Sequence, residues 1–187
     1  MRNLRLLLLF AILPTFYGCA AVMVGGAGTA AVVAGDRRTI GTVTEDQGIE
    51  LKAWDRVRSK FKDPHVNITS YNRMVLLTGE APDAQTKAEI GKIARAVENV
   101  YGIYNEITLA SNSTLSTRAN DSYLTSKVKA RFVDQRKFNP IHVKVVTEGN
   151  VVYLLGMVKR KEADDATEIA RTTGGVQKVV KLFEYLD

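Results

Sequence analysis

The feature that most constrains this chain is that one stretch of it occurs twice. Val66-Asn67-Ile68-Thr69 leads to Met74-Val75-Leu76-Leu77-Thr78-Gly79, and Val143-Lys144-Val145-Val146 leads to Val151-Val152-Tyr153-Leu154-Leu155-Gly156, with the same spacing across both runs. His65 and His142 stand immediately before them. After a one-residue gap, Ile93-Ala94-Arg95 corresponds to Ile169-Ala170-Arg171, and Val100, Ile103 and Ile107 correspond to Val176, Val179 and Phe183. A fixed internal period means one supersecondary unit built twice, so the fold is read per copy.

Each copy opens with a helical stretch. In the first it includes Asp55 to Lys62 within a longer helix; in the second it covers Tyr123 to Val133, where Leu124, Val128 and Phe132 recur every fourth residue as an apolar stripe. Two β-rich runs follow. Their turns, Tyr71-Asn72-Arg73 and Thr147-Glu148-Gly149-Asn150, are short enough for antiparallel hairpins. A second helix is expected at about Asp83–Val97 and Lys161–Thr173, then a last strand at Ile103–Leu109 and Val179–Tyr185. The order αββαβ allows the second and third strands to run parallel, joined by a right-handed helical crossover. The expected fold is α+β: two tandem sandwiches, each a small three-stranded mixed sheet with two helices. Units of this size bury modest cores, so mutual packing would help both, although the pattern itself shows no contact between them.

The N-terminus reads differently. Arg2 and Arg5 precede the apolar run Leu6–Leu13, which is too short to span a bilayer, so residues 1–18 are read as an export signal. Cys19 is the only cysteine, which excludes an internal disulfide. It follows Phe16-Tyr17-Gly18, a stretch that resembles a bacterial lipobox, so Cys19 is the expected acylation site; the alternative is an ordinary signal peptide with an incidental cysteine. Because Ala20 and not Asp follows it, the likeness to lipoproteins implies sorting to the inner leaflet of the outer membrane, facing the periplasm. Acyl chains contribute about 0.8 kcal/mol per buried CH₂ and would hold the protein there unaided. Ala20–Gly35 reads as a tether, or alternatively a short hydrophobic hairpin. The organisation is then a signal at 1–18, a lipidated cysteine and linker at 19–44, units at 45–110 and 119–187, and a linker at 111–118.

The hairpin pattern Val-x-Val then Val-x-Leu-x-Gly, with Gly-Val-x-x-Val before the last strand, resembles the BON domain. Gly174-Gly175-Val176-Gln177-Lys178-Val179 matches well, while Glu98-Asn99-Val100-Tyr101-Gly102-Ile103 lacks the glycine before Val100. With the lipobox upstream, the whole resembles outer-membrane lipoproteins carrying two BON domains.

No catalytic constellation appears: there is no second cysteine, no phosphate-cradling glycine motif, and the two histidines fall in separate copies. No enzyme, cofactor or metal site is expected. A metal bridging His65 and His142 would lack neighbouring Cys or acidic partners, and their matched places argue for a shared structural role. Charge does separate the copies. Residues 45–110 hold nine Lys and Arg against ten Asp and Glu, whereas residues 118–187 hold thirteen against nine. The second copy's first helix region brings Lys127, Lys129, Arg131, Arg136 and Lys137, which suits an anionic surface. Export removes nucleic acid as a partner. Tyr123 and Lys127 lie one turn apart, away from the Leu124/Val128 stripe, as at a headgroup boundary; a solvated basic helix with a packed tyrosine would look the same.

The family resemblance favours the membrane. It implies that the second BON domain binds anionic phospholipid through its first helix, with Tyr123 where the family usually has tryptophan and Val133 at a further apolar position. It also implies a role in outer-membrane integrity and at division sites. Tyr123, Lys127, Arg131 and Val133 are the candidate lipid-binding residues. Trp54, in the first copy, is read as core or domain-interface packing. The other reading is a periplasmic adaptor whose basic helix binds outer-membrane or cell-wall proteins.

Overall fold

The computed structural model describes residues 35–62 and 65–187. The signal segment 1–18, Cys19 and the tether as far as residue 34 lie outside the described residues. The first unit runs α1 (Ile40–Lys60), β1 (Val66–Tyr71), β2 (Met74–Ala81), α2 (Ala84–Arg95), β3 (Gly102–Asn105) and β4 (Thr108–Leu109). The second runs α3 (Leu115–Gln135), a 3₁₀ turn (Pro140–His142), β5 (Lys144–Glu148), β6 (Val151–Val158), α4 (Arg160–Arg171) and β7 (Lys178–Tyr185). In each sheet the hairpin is antiparallel and the strand after the crossover helix pairs in parallel with the second hairpin strand. This is the expected αββαβ order, given twice.

The hairpins turn through two residues with positive φ, Asn72-Arg73 (49° and 64°) and Gly149-Asn150 (55° and 63°). That twist matches the right-handed twist of the flanking strands. The exposed turn amides are then captured by a helix: Asp46 of α1 accepts from Asn72 and Arg73 N–H (2.9 and 2.8 Å), and Asp121 of α3 accepts from Gly149 and Asn150 N–H (both 2.9 Å). Both aspartates are buried. Each second hairpin strand carries glycine opposite the start of the first because nothing larger fits. A Cβ on Gly79 would lie 2.0 Å from the His65 carbonyl oxygen, and one on Gly156 2.3 Å from that of His142.

Two boundaries differ from expectation. Residues 40–44, read as the end of the linker, form the first turn of α1, capped by the Thr39 hydroxyl accepting from Thr42 N–H (3.1 Å). Residues 115–118, read as the second linker, likewise open α3 under a Thr114 cap. A threonine cap supplies what the weak helix formers of these first turns lack. The last strand of the first unit also breaks, because Glu106 N–H turns to the Leu77 carbonyl (2.9 Å) and Ile107 drops into the core, so β4 re-pairs with β2 as a short fourth strand.

Each sheet covers its helices with one face. In the first unit Val75 and Leu77 pack with Ile49, Ala53, Val57 and Ile90; in the second Val152 and Leu154 pack with Val128, Phe132, Ala166 and Ile169. The opposite faces meet each other, with Tyr71 and Leu76 against Tyr153 and Leu155, flanked by Tyr104, Val146 and Leu182. The result is four layers, helix, sheet, sheet, helix. Polar contacts across the seam are close to reciprocal. Asn67 of β1 donates to Glu148 of β5 (2.7 Å), and its repeat partner Lys144 donates to the Ser70 carbonyl (3.3 Å), beside Tyr71, the repeat partner of Glu148. Such pairing of one surface with its own copy is the mark of an isologous contact.

Candidate functional site

The α3 helix buries Leu124, Val128 and Phe132, as its periodicity predicts, and this leaves the opposite side to solvent. On that side Tyr123 is 62% exposed and Val133 61% exposed, with Ala130 between them. Lys127 Nζ lies 5.8 Å from the centre of the Tyr123 ring and donates to the Gly174 carbonyl (3.0 Å). The loop can pack this closely on α3 because Gly175 (φ +105°) carries no Cβ, which would fall 2.8 Å from Leu124 Cδ2. A shallow depression of about 830 Å³ continues past Lys127, Ala130, Val133 and Arg136. Tyr123, Lys127 and Val133 therefore share one outward surface, with Lys129 and Arg136 exposed nearby.

Arg131 is placed differently. Its guanidinium donates to the Ile169 carbonyl and Thr173 Oγ1 (both 2.7 Å) and to Thr172 Oγ1 (3.1 Å), so it ties α3 to the end of α4. A cation at a helix C-terminus satisfies the last carbonyls and complements the dipole. Its charge adds to the local field while its donors are engaged within the protein.

The two turn-capping aspartates align α1 with α3, and the alignment puts Gly48 where the second unit has Tyr123, Lys52 for Lys127, Arg56 for Arg131 and Arg58 for Val133. Lys52 is paired with Glu98 (3.0 Å). The first helix thus lacks a ring at the matched position and has its equivalent ammonium neutralised. Trp54 was expected in the core or at the domain interface; it is instead 44% exposed on α1, with the Arg58 guanidinium 4.8 Å from its ring. It falls on a helix position whose neighbours Ala53 and Val57 already fill the buried stripe.

Against this geometry, the comparisons with known proteins are direct. A family model described as the BON domain matches residues 45–111 and again 120–187. Outer membrane lipoprotein DolP of Haemophilus influenzae is 38% identical over 173 residues, covering 91% of this chain and 90% of that one. The chain belongs to the DolP-like family of dual BON-domain outer-membrane lipoproteins. Similarity extends to the 21 kDa hemolysin of Actinobacillus pleuropneumoniae (30% identical, covering 81% of this chain and 79% of that protein). It extends also to the osmotically-inducible protein Y of Escherichia coli (26%, covering 75% and 72%). Among the described residues of this DolP-like chain, no helix is long and apolar enough to cross a membrane.

Three features of the DolP-like chain were not read from its sequence. Asp46 and Asp121 are one; a repeated aspartate facing a repeated turn was a usable signal. The second is the strap ahead of α1. Arg37 forms a two-pronged pair with Glu162 (2.6 and 2.9 Å) and donates to the Met157 carbonyl, while Arg38 pairs with Asp36 and Asp46 and stacks 4.0 Å over the Tyr71 ring. The Arg37 hydrogen bonds hold the Glu162 carboxyl at about 2. The third lies at the seam, where His65 does have acidic neighbours. Its Nδ1 is 2.5 Å from Glu80 Oε2, and Glu148 approaches from the other unit. Burial raises the Glu148 carboxyl above its ordinary value. For Glu80 burial pushes the same way, but hydrogen bonds from His65 and Ser113 outweigh it and hold that carboxyl low.

Proposed function

We propose that this protein is a lipid-anchored, periplasm-facing component of the outer membrane whose second BON unit lies on anionic phospholipid through α3. In this reading residues 1–18 are removed, Cys19 carries the acyl chains, the following stretch tethers the two units at 45–110 and 119–187, and the anchored pair supports membrane integrity, including at division sites as the family resemblance implies. Tyr123 and Val133 enter the headgroup boundary. Lys127, Lys129 and Arg136 supply positive charge around them, and Arg131 fixes α3 against α4. No turnover is involved.

The observation that carries the proposal is the contrast between matched helices: Tyr123 beside an ammonium on α3, against Gly48 and an ion-paired Lys52 on α1. An aromatic ring with a polar tip suits the interface, and each cation near an anionic surface contributes about 1 kcal/mol. The test uses the chain freed of its anchor by Cys19→Ala. It should leave the outer-membrane fraction in cells, and in vitro it should float with anionic but not zwitterionic vesicles. Binding should weaken as salt rises to about 0.1 M, where the screening length falls to ~10 Å. Equal flotation with both vesicle types at every salt concentration would remove the electrostatic mechanism.

A protein-adaptor reading has its own observation, the exposed Leu51 (68%) and Trp54 on α1. It places a partner on the first unit and leaves α3 for lipid. Trp54→Ala that abolishes co-purification of an outer-membrane or cell-wall protein, with vesicle flotation unchanged, would support it.

A further inference from the structure

The seam between the units holds a cluster that the membrane contact does not use. His65 precedes β1, Glu80 is the penultimate residue of β2, and Glu148 ends β5 of the other unit, yet one donor atom from each lies within 4.8 Å of the other two. Histidine and glutamate side chains here are largely buried, with His65 and Glu80 each 12% exposed. The carboxylates are oriented by neutral donors: Ser113 N–H reaches Glu80 (3.1 Å), and Asn67 Nδ2 and Thr78 Oγ1 reach Glu148 (2.7 and 3.2 Å). Arg118 directs its guanidinium at the Ser113 hydroxyl and carbonyl. A half-open cavity of about 390 Å³, lined in part by His65 and Glu148, leads to the cluster from solvent.

We propose that His65, Glu80 and Glu148 form a zinc-binding site that bridges the two BON units. One neutral imidazole and two carboxylates carry a charge of minus two, which a divalent ion cancels; nitrogen with carboxylate oxygen is a donor set that zinc accepts, leaving a fourth position for water. Zinc bonds of about 2.1 Å place tetrahedral donors about 3.4 Å apart. The widest donor separation must therefore close by at most about 1.4 Å, and the His65–Glu80 pair must open by about 0.9 Å as the ion replaces the proton between them. The hydrogen bonds from Ser113, Asn67 and Thr78 are the outer-shell contacts that hold ligating carboxylates in place. A site drawn from both units exists only when they are docked, so ion binding stabilises the docked pair.

The test is calorimetric titration of the full mature chain in detergent micelles, untagged and stripped of metal by chelator, with Zn²⁺ alone. The expected result is saturation at one ion per chain and a rise in melting temperature. His65→Ala and Glu148→Gln should each weaken binding at least tenfold and remove the thermal shift. Glu148→Gln keeps the side chain's shape and its acceptor for Asn67, so it remains folded by circular dichroism and keeps the test decisive if His65→Ala does not. Absence of saturable binding would overturn the site and leave the cluster as a hydrogen-bonded staple. Binding that survives Glu148→Gln would overturn it too, by placing the ion elsewhere.

Discussion

Replacing Tyr123 by alanine isolates the apolar part of the proposed membrane contact, because it leaves every charge on α3 in place. A tyrosine side chain offers about 150–250 Å², and at 62% exposure roughly 100–150 Å² of it faces solvent. If about half of that leaves water at the headgroup boundary, ~25 cal/mol per Å² gives roughly 1–2 kcal/mol. Vesicle binding should therefore fall by a factor of about 5–30, and Tyr123→Trp, with a larger ring, should strengthen it. The ring packs on Lys127 from outside the core, so both variants should keep the parent's circular dichroism spectrum. Co-sedimentation with anionic vesicles measures the change. Trp54→Ala is the matched control, since it removes a larger aromatic from α1 and should alter binding less than twofold. If Tyr123→Ala binds like the parent while Trp54→Ala loses affinity, the contact lies on the other helix and the comparison of α1 with α3 has been drawn the wrong way round.

The turn-capping aspartates should differ in weight. Asp46→Ala strands the Asn72 and Arg73 amides and the Ser70 hydroxyl and removes one of the two carboxylates that pair with Arg38, and should cost about 3–4 kcal/mol, against about 2 kcal/mol for Asp121→Ala, which strands two amides; urea unfolding reads both. Acid stability should depend on Glu162. Its carboxyl is held at about 2 by Arg37, below the ordinary 4.5, so the unfolded chain binds that proton more readily. The stabilisation is complete above about pH 4.5 and is lost as pH falls towards 2. In Glu162→Gln the slope of unfolding free energy against pH should flatten in that window, and an unchanged slope would show that Arg37 does not hold the carboxylate in solution.

Elements and their order were legible because a twofold repeat fixes two hairpins at once, and because Leu124, Val128 and Phe132 sit at helical spacing. The docking of the sheets was less so. Val75-Leu76-Leu77 and Val152-Tyr153-Leu154-Leu155 run apolar without alternating, the pattern of strands buried on both faces, but nothing local says that the second face meets the other copy. What stayed hidden depended on distance along the chain. His65 finds Glu148 across 83 positions, and Arg37 finds Glu162 across 125. Arg131 looks like any cation on a basic helix until the end of α4 arrives to occupy it. Trp54 misled because a lone tryptophan is more often packed than displayed, and the α1 stripe was already complete without it.

The four-layer arrangement restricts what two identical halves could have achieved. The helices form the outermost layers, so α1 and α3 look out from opposite sides of the paired sheets. A symmetric dimer of one unit would turn one copy of any docking helix towards a flat bilayer and the other away from it, leaving the second ring exposed to water as a standing invitation to aggregate. Joining the halves in a single polypeptide keeps them at a high effective concentration and lets each outer helix drift separately. Glycine at position 48 and tyrosine at position 123 are the outcome such a fusion permits: two outer helices that carry different surfaces, of which the proposed membrane contact would use one.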